Sequence, residues 1–247
     1  MPDRGRVGYW LFLVLIAVAA FLGWREYQRL VREEPERFPW TPLSLSDPIG
    51  EFTGRKLSAL GTDPKRCEDL LDAIESGDRV VGPRRGSNAA CGYDVGMELR
   101  PADRSAIRYA PAPLVTACPI AAALVLWERD VVQPAAQRLL GERVASIEHF
   151  GSYACRRLYG RAEGPYSEHA TANALDIAGF RLASGRRVSV LRDWSDGGTD
   201  AAFLREVRSG ACDVFATVLS PDYNAAHADH LHFDQAARGA TGWRGCR

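Results

Sequence analysis

Residues 7–24 read VGYWLFLVLIAVAAFLGW, an apolar run without a single charge. As a helix these 18 residues extend about 27 Å, close to the roughly 30 Å hydrocarbon thickness of a bilayer. Trp10 and Trp24 stand near its ends, where indoles favour the interface, and Arg4, Arg6 and Arg25 flank it with a bias toward an inside N-terminus. The run predicts an uncleaved anchor within residues 1–24. The alternative is a signal peptide cut after Ala17-Val18-Ala19, although Phe21 and Leu22 keep the following segment apolar, unlike a polar cleavage region. Either form exports the rest of the chain, to a single-pass inner-membrane protein with its C-terminal domain in the periplasm or to a soluble periplasmic one.

Beyond the run the pattern becomes that of a folded domain. Residues 25–63 are charge-rich as far as Arg37 and then broken by Phe38-Pro39-Trp40-Thr41-Pro42 and Asp47-Pro48-Ile49-Gly50. They read as a linker holding a domain of residues 64–247 away from the membrane. A short helix is expected over 68–76, then irregular Gly-rich chain through Cys91, with the main elements starting near Ala102. Ile120, Ala123, Leu124, Trp127 and Val131 recur at helical spacing, which predicts a helix over 119–132 that Pro134 restarts and Gly141 ends. Residues 145–153 read as a strand, and 177–182 with 187–191 as a hairpin across Ser184-Gly185. Phe203, Leu204 and Val207 mark a helix stopped by Gly210, and 230–234 a last short strand. Helices and hairpins without a βαβ rhythm predict an α+β fold, a small antiparallel sheet flanked by helices after one N-terminal transmembrane helix.

Composition narrows the class. The chain has 247 residues, 46% hydrophobic and 25% charged, enough for an ordinary core. Lys plus Arg and Asp plus Glu are both 31, so there is no basic footprint and no nucleic-acid partner is expected. All six cysteines follow the apolar run and none forms a C-x-x-C pair, which suits disulfides in an oxidising compartment. Six cysteines allow fifteen connectivities. We expect three bridges, Cys155–Cys212 among them because both flank the expected catalytic core.

The candidate chemistry lies in the histidines. Three of five fall in His227-Ala-Asp-His230-Leu-His232, and a fourth, His169, precedes Asp176 by seven positions. Imidazoles and a carboxylate make a plausible Zn2+ set with a position left for water. Strand alternation puts His230 and His232 on one face and Leu231 and Phe233 toward the core, and likewise separates Asp176 from Leu175 and Ile177. One of these two imidazoles can therefore bind metal with His169 and Asp176 while the other stands over the open position, and two strands meeting at one face would bring His169, Asp176 and His232 together. Arg156 and Arg157 offer a fork for a substrate carboxylate, His227 faces substrate or supports the site, and Ser167 orients a ligand. His149 has no motif around it and reads as structural. Trp194 reads as closing the core.

Ser167-x-His169-x-x-Ala-x-Ala-x-Asp176, followed by His230-x-His232, resembles the superfamily of lysostaphin-type enzymes, D-Ala-D-Ala carboxypeptidases and Hedgehog domains. The His227-x-x-His230-x-His232 spacing is similar to that of penicillin-insensitive murein endopeptidases. The run from CPIAAALVLWERDVVQPAA through GSYACR and SEHATANALDIAGF to PDYNAAHADHLHFD resembles the bacterial extensin-like C-terminal domain family, over roughly residues 67–247. The resemblance implies zinc on His169, Asp176 and His232, with His230 as base, in an exported peptidase acting on peptidoglycan cross-links. The alternative that the same resemblance leaves open is a zinc-containing cell-wall binding module without turnover, with the intact base position at His230 favouring the enzyme. Ala172 stands where many relatives have Gly, and the final motif is not of the Glu-x-x-His type, which argues against that carboxypeptidase subtype. The Pro- or Ser-rich repeats of a structural wall protein do not occur.

Overall fold

The computed structural model describes residues 4–238 and 243–247. Helix α1 (Arg4–Glu33) contains the apolar run and continues past Trp24. Its segment Gly8–Glu33 is, among the described residues, the one helix long and apolar enough to cross a membrane, and none of its apolar stretch is buried in the protein.

The segment expected as a linker is instead folded onto the domain. Leu45, Leu57 and Leu60 lie in the hydrophobic core. Arg129 donates to the carbonyls of Leu45 and Asp47, and Thr41 to that of Phe38. Proline and glycine correctly mark the turns here. What they conceal is that the leucines between them have an apolar surface to cover, through α2 (Thr53–Ala59), which packs on α4 (Cys118–Trp127). Helix α3 (Pro64–Asp72) starts four residues earlier than expected because Pro64 opens its first turn and the Asp63 side chain accepts from Arg66 N at 3.1 Å. The Gly-rich stretch that follows forms a three-stranded sheet of Arg79–Val81, Gly96–Glu98 and Val115–Thr116, beside a hairpin of Arg84–Arg85 with Gly92–Tyr93.

Helix α4 and α5 (Gln133–Leu140) form one continuous rod whose middle, Glu128–Val132, is a π turn. Pro134 explains it. The proline lacks an N–H and its ring crowds the carbonyl four residues back, and one wider turn relieves the conflict without ending the helix. Gly141 closes α5 at φ 73°, the left-handed cap that glycine adopts without a Cβ penalty.

The principal sheet has β1 (Arg108–Ala110), β2 (Val144–Gly151), β3 (Ala174–Leu182), β4 (Arg187–Ser189), β5 (Thr217–Leu219), β6 (Leu231–Asp234) and β7 (Gly245–Cys246). Its order is β7-β5-β6-β3-β2-β1, with β4 also on β3. The ladders around β3 and between β5 and β6 are antiparallel as expected, but the two outermost, β5/β7 and β1/β2, are parallel. The fold is thus α+β with a mixed sheet.

One face of this sheet meets α4, α5 and α7 (Thr199–Ala211) through an aromatic cluster centred on Trp127. The Trp127 ring lies 5.2 Å from Phe233 and 6.1 Å from Phe180, which meets Phe203 at 5.0 Å. Trp127 Nε1 donates to the Val207 carbonyl at 2.8 Å, so the buried indole leaves no unmet donor. Gly210 does not stop α7. A Cβ there would fall 2.5 Å from Val131 Cγ1, so this glycine lets α7 approach the π turn closely. The hairpin strand ends at Ser189 and the chain turns into α6 (Val190–Asp193), with Asp193 Oδ2 accepting from Ser189 N at 2.7 Å. Trp194 is buried, as expected for a core closure, and bonds Asp222.

Three disulfides leave no free cysteine, but they are Cys67–Cys118, Cys91–Cys155 and Cys212–Cys246. The expected Cys155–Cys212 pair is wrong. Cys212 caps the end of α7 next to β7, whereas Cys155 follows β2 and meets the Gly-rich hairpin.

Candidate metal centre

The site is built at the register between β3 and β6, where His232 pairs with Asp176, flanked by Leu231 with Ile177 and Phe233 with Leu175. The four flanking residues are fully buried in the core, so the alternation of side chains sends Asp176 and His232 to the opposite face. Asp234, two positions on, shares that face.

His169 arrives from a 3-10 turn, Glu168–Thr171, that ends at Ala172 with φ 56°. That left-handed conformation costs an L-residue on the order of 1 kcal/mol, which is why glycine suits the position. Ser167 caps the turn, its Oγ accepting from His169 N at 3.3 Å, and so positions His169 through its backbone. His169 Nδ1–H donates to the Ser152 carbonyl at 2.8 Å, which aims Nε2 inward.

Nε2 of His169 lies 3.1 Å from Asp176 Oδ2 and 3.2 Å from His232 Nδ1, and that Nδ1 lies 2.8 Å from Asp176 Oδ1. One ligand atom from each residue falls within 4.8 Å of the others. His232 Nε2 donates to Asp234 Oδ2 at 3.3 Å. Each ring is thus held by an acceptor on its far nitrogen, the arrangement that fixes metal-binding histidines.

The electrostatics of the same three residues are strongly coupled. Burial alone would raise the Asp176 carboxyl, but hydrogen bonds from His169 and His232 outweigh it and hold the group far below the usual carboxylate range. Burial opposes charge on His232, yet the Asp176 and Asp234 carboxylates win and raise it to about 9. The donor set of two imidazoles and a carboxylate, with one ligand atom of each close together, is of the kind that fits zinc.

His230 lies just outside. Its Nδ1 is 2.8 Å from Asp229 Oδ1 and its Nε2 3.5 Å from Asp176 Oδ1, with the exposed Phe150 ring 5.8 Å away. The His227 ring lies 5.1 Å from that of His230, tilted by 47°, and its Nδ1 bonds Asn224 Oδ1 at 2.8 Å. Burial and the charges of His230 and His232 push it down to about 4.

His227, His230, His232 and Asp234 border a cleft of about 240 Å³ that also includes Arg156, Tyr159, Tyr166, Ser167, Glu168 and Arg238. Arg156 is on the cleft, but Arg157 turns back on its own loop, its guanidinium 4.4 Å from the Tyr166 ring and bonded to the Gly164 carbonyl. His149 is apart from the site, bonded to Pro111 O at 2.9 Å.

Sequence reasoning missed Asp234, Asp229 and Asn224, the side-chain partners of His232, His230 and His227. Asp234 was findable, because it continues the period-two series His230, His232. The Ser152 carbonyl leaves no side-chain signal.

No curated protein and no solved structure matches the chain. Residues 65–247 match the family described as Extensin-like protein C-terminus. That match spans most of the chain, and the protein belongs to the extensin-like C-terminal family.

Proposed function

We propose that this chain is an exported, membrane-anchored zinc-dependent peptidase that hydrolyses peptide cross-links of peptidoglycan, in the manner of a murein endopeptidase. The reading extends to the wider lysostaphin and D-Ala-D-Ala carboxypeptidase superfamily that the two motifs resemble. The observation that carries it is the convergence of His169, Asp176 and His232 with a fourth polar side chain, His230, next to them at the wall of an open cleft. Three disulfides and an N-terminal apolar helix agree with work outside the cytoplasm.

When bound, zinc supplies Lewis acidity that polarises a carbonyl and lowers the pKa of water to about 7. His169, Asp176 and His232 hold the ion, and Ser152 and Asp234 hold the two rings in orientation. His230 serves as the base. Asp229 accepts its Nδ1–H, which leaves the Nε2 lone pair to take the proton of the attacking water and pass it to the leaving amine. Arg156, which makes no ion pair among the described residues, offers a guanidinium on the cleft for a peptide carboxylate.

The test is release of soluble peptide fragments from purified sacculi by the full chain. Release should stop with a chelator, return with zinc, and be lost in His230→Ala. Zinc-dependent binding to sacculi without any release would leave the non-catalytic wall-binding module as the correct reading.

A further inference from the structure

We propose that Trp24, Tyr27, Phe38 and Trp40 form one aromatic belt that seats the folded domain directly on the headgroup layer of the bilayer. The inference rests on reading α1 as an uncleaved membrane span, and it replaces the expectation of a domain held away by a tether.

The four rings are consecutive neighbours. Centroids are 5.5 Å apart for Trp24 and Tyr27, 6.0 Å for Tyr27 and Phe38, and 5.3 Å for Phe38 and Trp40. Tyr27 is about 4.5 Å further along the helix than Trp24, and Glu33 about 13 Å further. The Pro35–Arg37 turn then reverses the chain, so that Phe38 meets Tyr27 again. The domain therefore starts only about one helical turn above the end of the apolar run. Headgroup regions are about 5–7 Å thick on each side of the hydrocarbon, the zone in which Trp and Tyr concentrate. Trp24 and Trp40 are 60% and 63% exposed, a large apolar surface to leave in water at that height.

Belt and domain are also joined without slack. Thr41 is buried and bonds the Phe38 carbonyl at 2.8 Å, and Lys56 Nζ bonds Thr41 Oγ1 at 3.0 Å. Gly50 lies so close to the reversing turn that a Cβ would fall 2.5 Å from Glu36 O. The seat is therefore fixed to the domain, and the cleft stands at a set height above the membrane.

The charges around the belt point to the aromatic rings, not lipid charge, as the source of contact. Residues 25–37 hold four arginines and four glutamates, so the segment has no net charge. Arg29 pairs with Glu26 and with Glu33 at 3.1 Å, Arg37 pairs with Glu34 at 2.6 Å, Arg25 lies over the Phe21 ring and Arg32 bonds the Gln28 carbonyl. A zwitterionic phosphatidylcholine surface is thus sufficient as the partner.

Neutron reflectometry of the full chain in a supported phosphatidylcholine bilayer tests this. Protein density should begin within the headgroup layer, with no water between. Phe38→Ser with Trp40→Ser should move the domain outward and open a resolvable water layer, at unchanged melting temperature. Should the double variant unfold, Trp40→Ser alone, at an exposed site, should give the same outward shift in smaller measure. Chain retained after a high-salt wash but already separated by water, or unmoved by the substitutions, overturns the belt while keeping the anchor. Chain that washes off overturns the anchor reading and the belt with it.

Discussion

Asp176 and His232 face each other directly across the β3–β6 ladder, with His232 Nδ1 2.8 Å from Asp176 Oδ1. Neither can be removed without leaving the other buried and only partly compensated. One zinc per chain should be found by elemental analysis of the purified protein. Asp176→Ala, His169→Ala and His232→Ala should each lose most of it, and the double Asp176→Ala/His232→Ala variant should lose little more than either single, because the residues act as one unit. Tight zinc in all three single variants would refute the ligand assignment.

His230 makes no short contact with His169 or His232 and reaches Asp176 only at 3.5 Å, while Asp229 holds its other nitrogen. His230→Ala should therefore retain the metal and lose sacculus hydrolysis by about 10²–10⁴-fold. Asp229→Asn should reduce the rate by a smaller factor, since it weakens orientation of the ring and leaves the base in place. Loss of zinc in His230→Ala would make that residue a ligand.

The pH dependence should have opposite signs for the two forms of the protein. Without metal, His232 is raised from 6.5 to about 9 by its two carboxylates. A raised pKa stabilises the fold fully below about 6.5, and that contribution fades as pH climbs toward 9. Zinc must displace the same proton, so its apparent affinity should rise across this window. Thermal melts with and without chelator from pH 6 to 9 should show the metal-free form weakening while the zinc-dependent increment grows. Parallel curves would remove His232 as the titrating group.

How far these features were readable depends on the range of the interaction that fixes them. Strand alternation alone placed Asp176, His230 and His232 opposite Leu175, Ile177, Leu231 and Phe233, because the period is local and the core face is unmistakable. The two-residue reach that finds Asp234 is equally local. The fold of residues 41–62 was hidden because prolines and glycines mark turns whether or not the leucines between them have a surface to cover. The helix that carries Leu57 packs on α4, far along the chain. Gly210 looked like a helix stop for the same reason, since its real constraint is the side chain of Val131 in another element. Disulfide partners are the extreme case. Both cysteines are visible, but the contact that joins them is set by the whole topology.

The bridges themselves give the last prediction. Thiol labelling of denatured, unreduced protein made in an oxidising compartment should find almost no free thiol, and a non-reducing peptide map should recover Cys67–Cys118, Cys91–Cys155 and Cys212–Cys246. The three differ in what they restrain. Cys67–Cys118 ties α3 to the start of α4, a contact that buried side chains already make. Cys91–Cys155 joins the two-stranded hairpin to the loop beyond β2 and spans 64 residues, the longest separation of the three. Its removal by Cys91→Ser/Cys155→Ser should cost about 2–5 kcal/mol. It should also impair sacculus hydrolysis more than the other two pairs do, since Arg156 follows Cys155 directly onto the cleft. Equal activity losses for all three pairs, at matched stability, would show that the Cys155 loop has no special part in shaping the cleft.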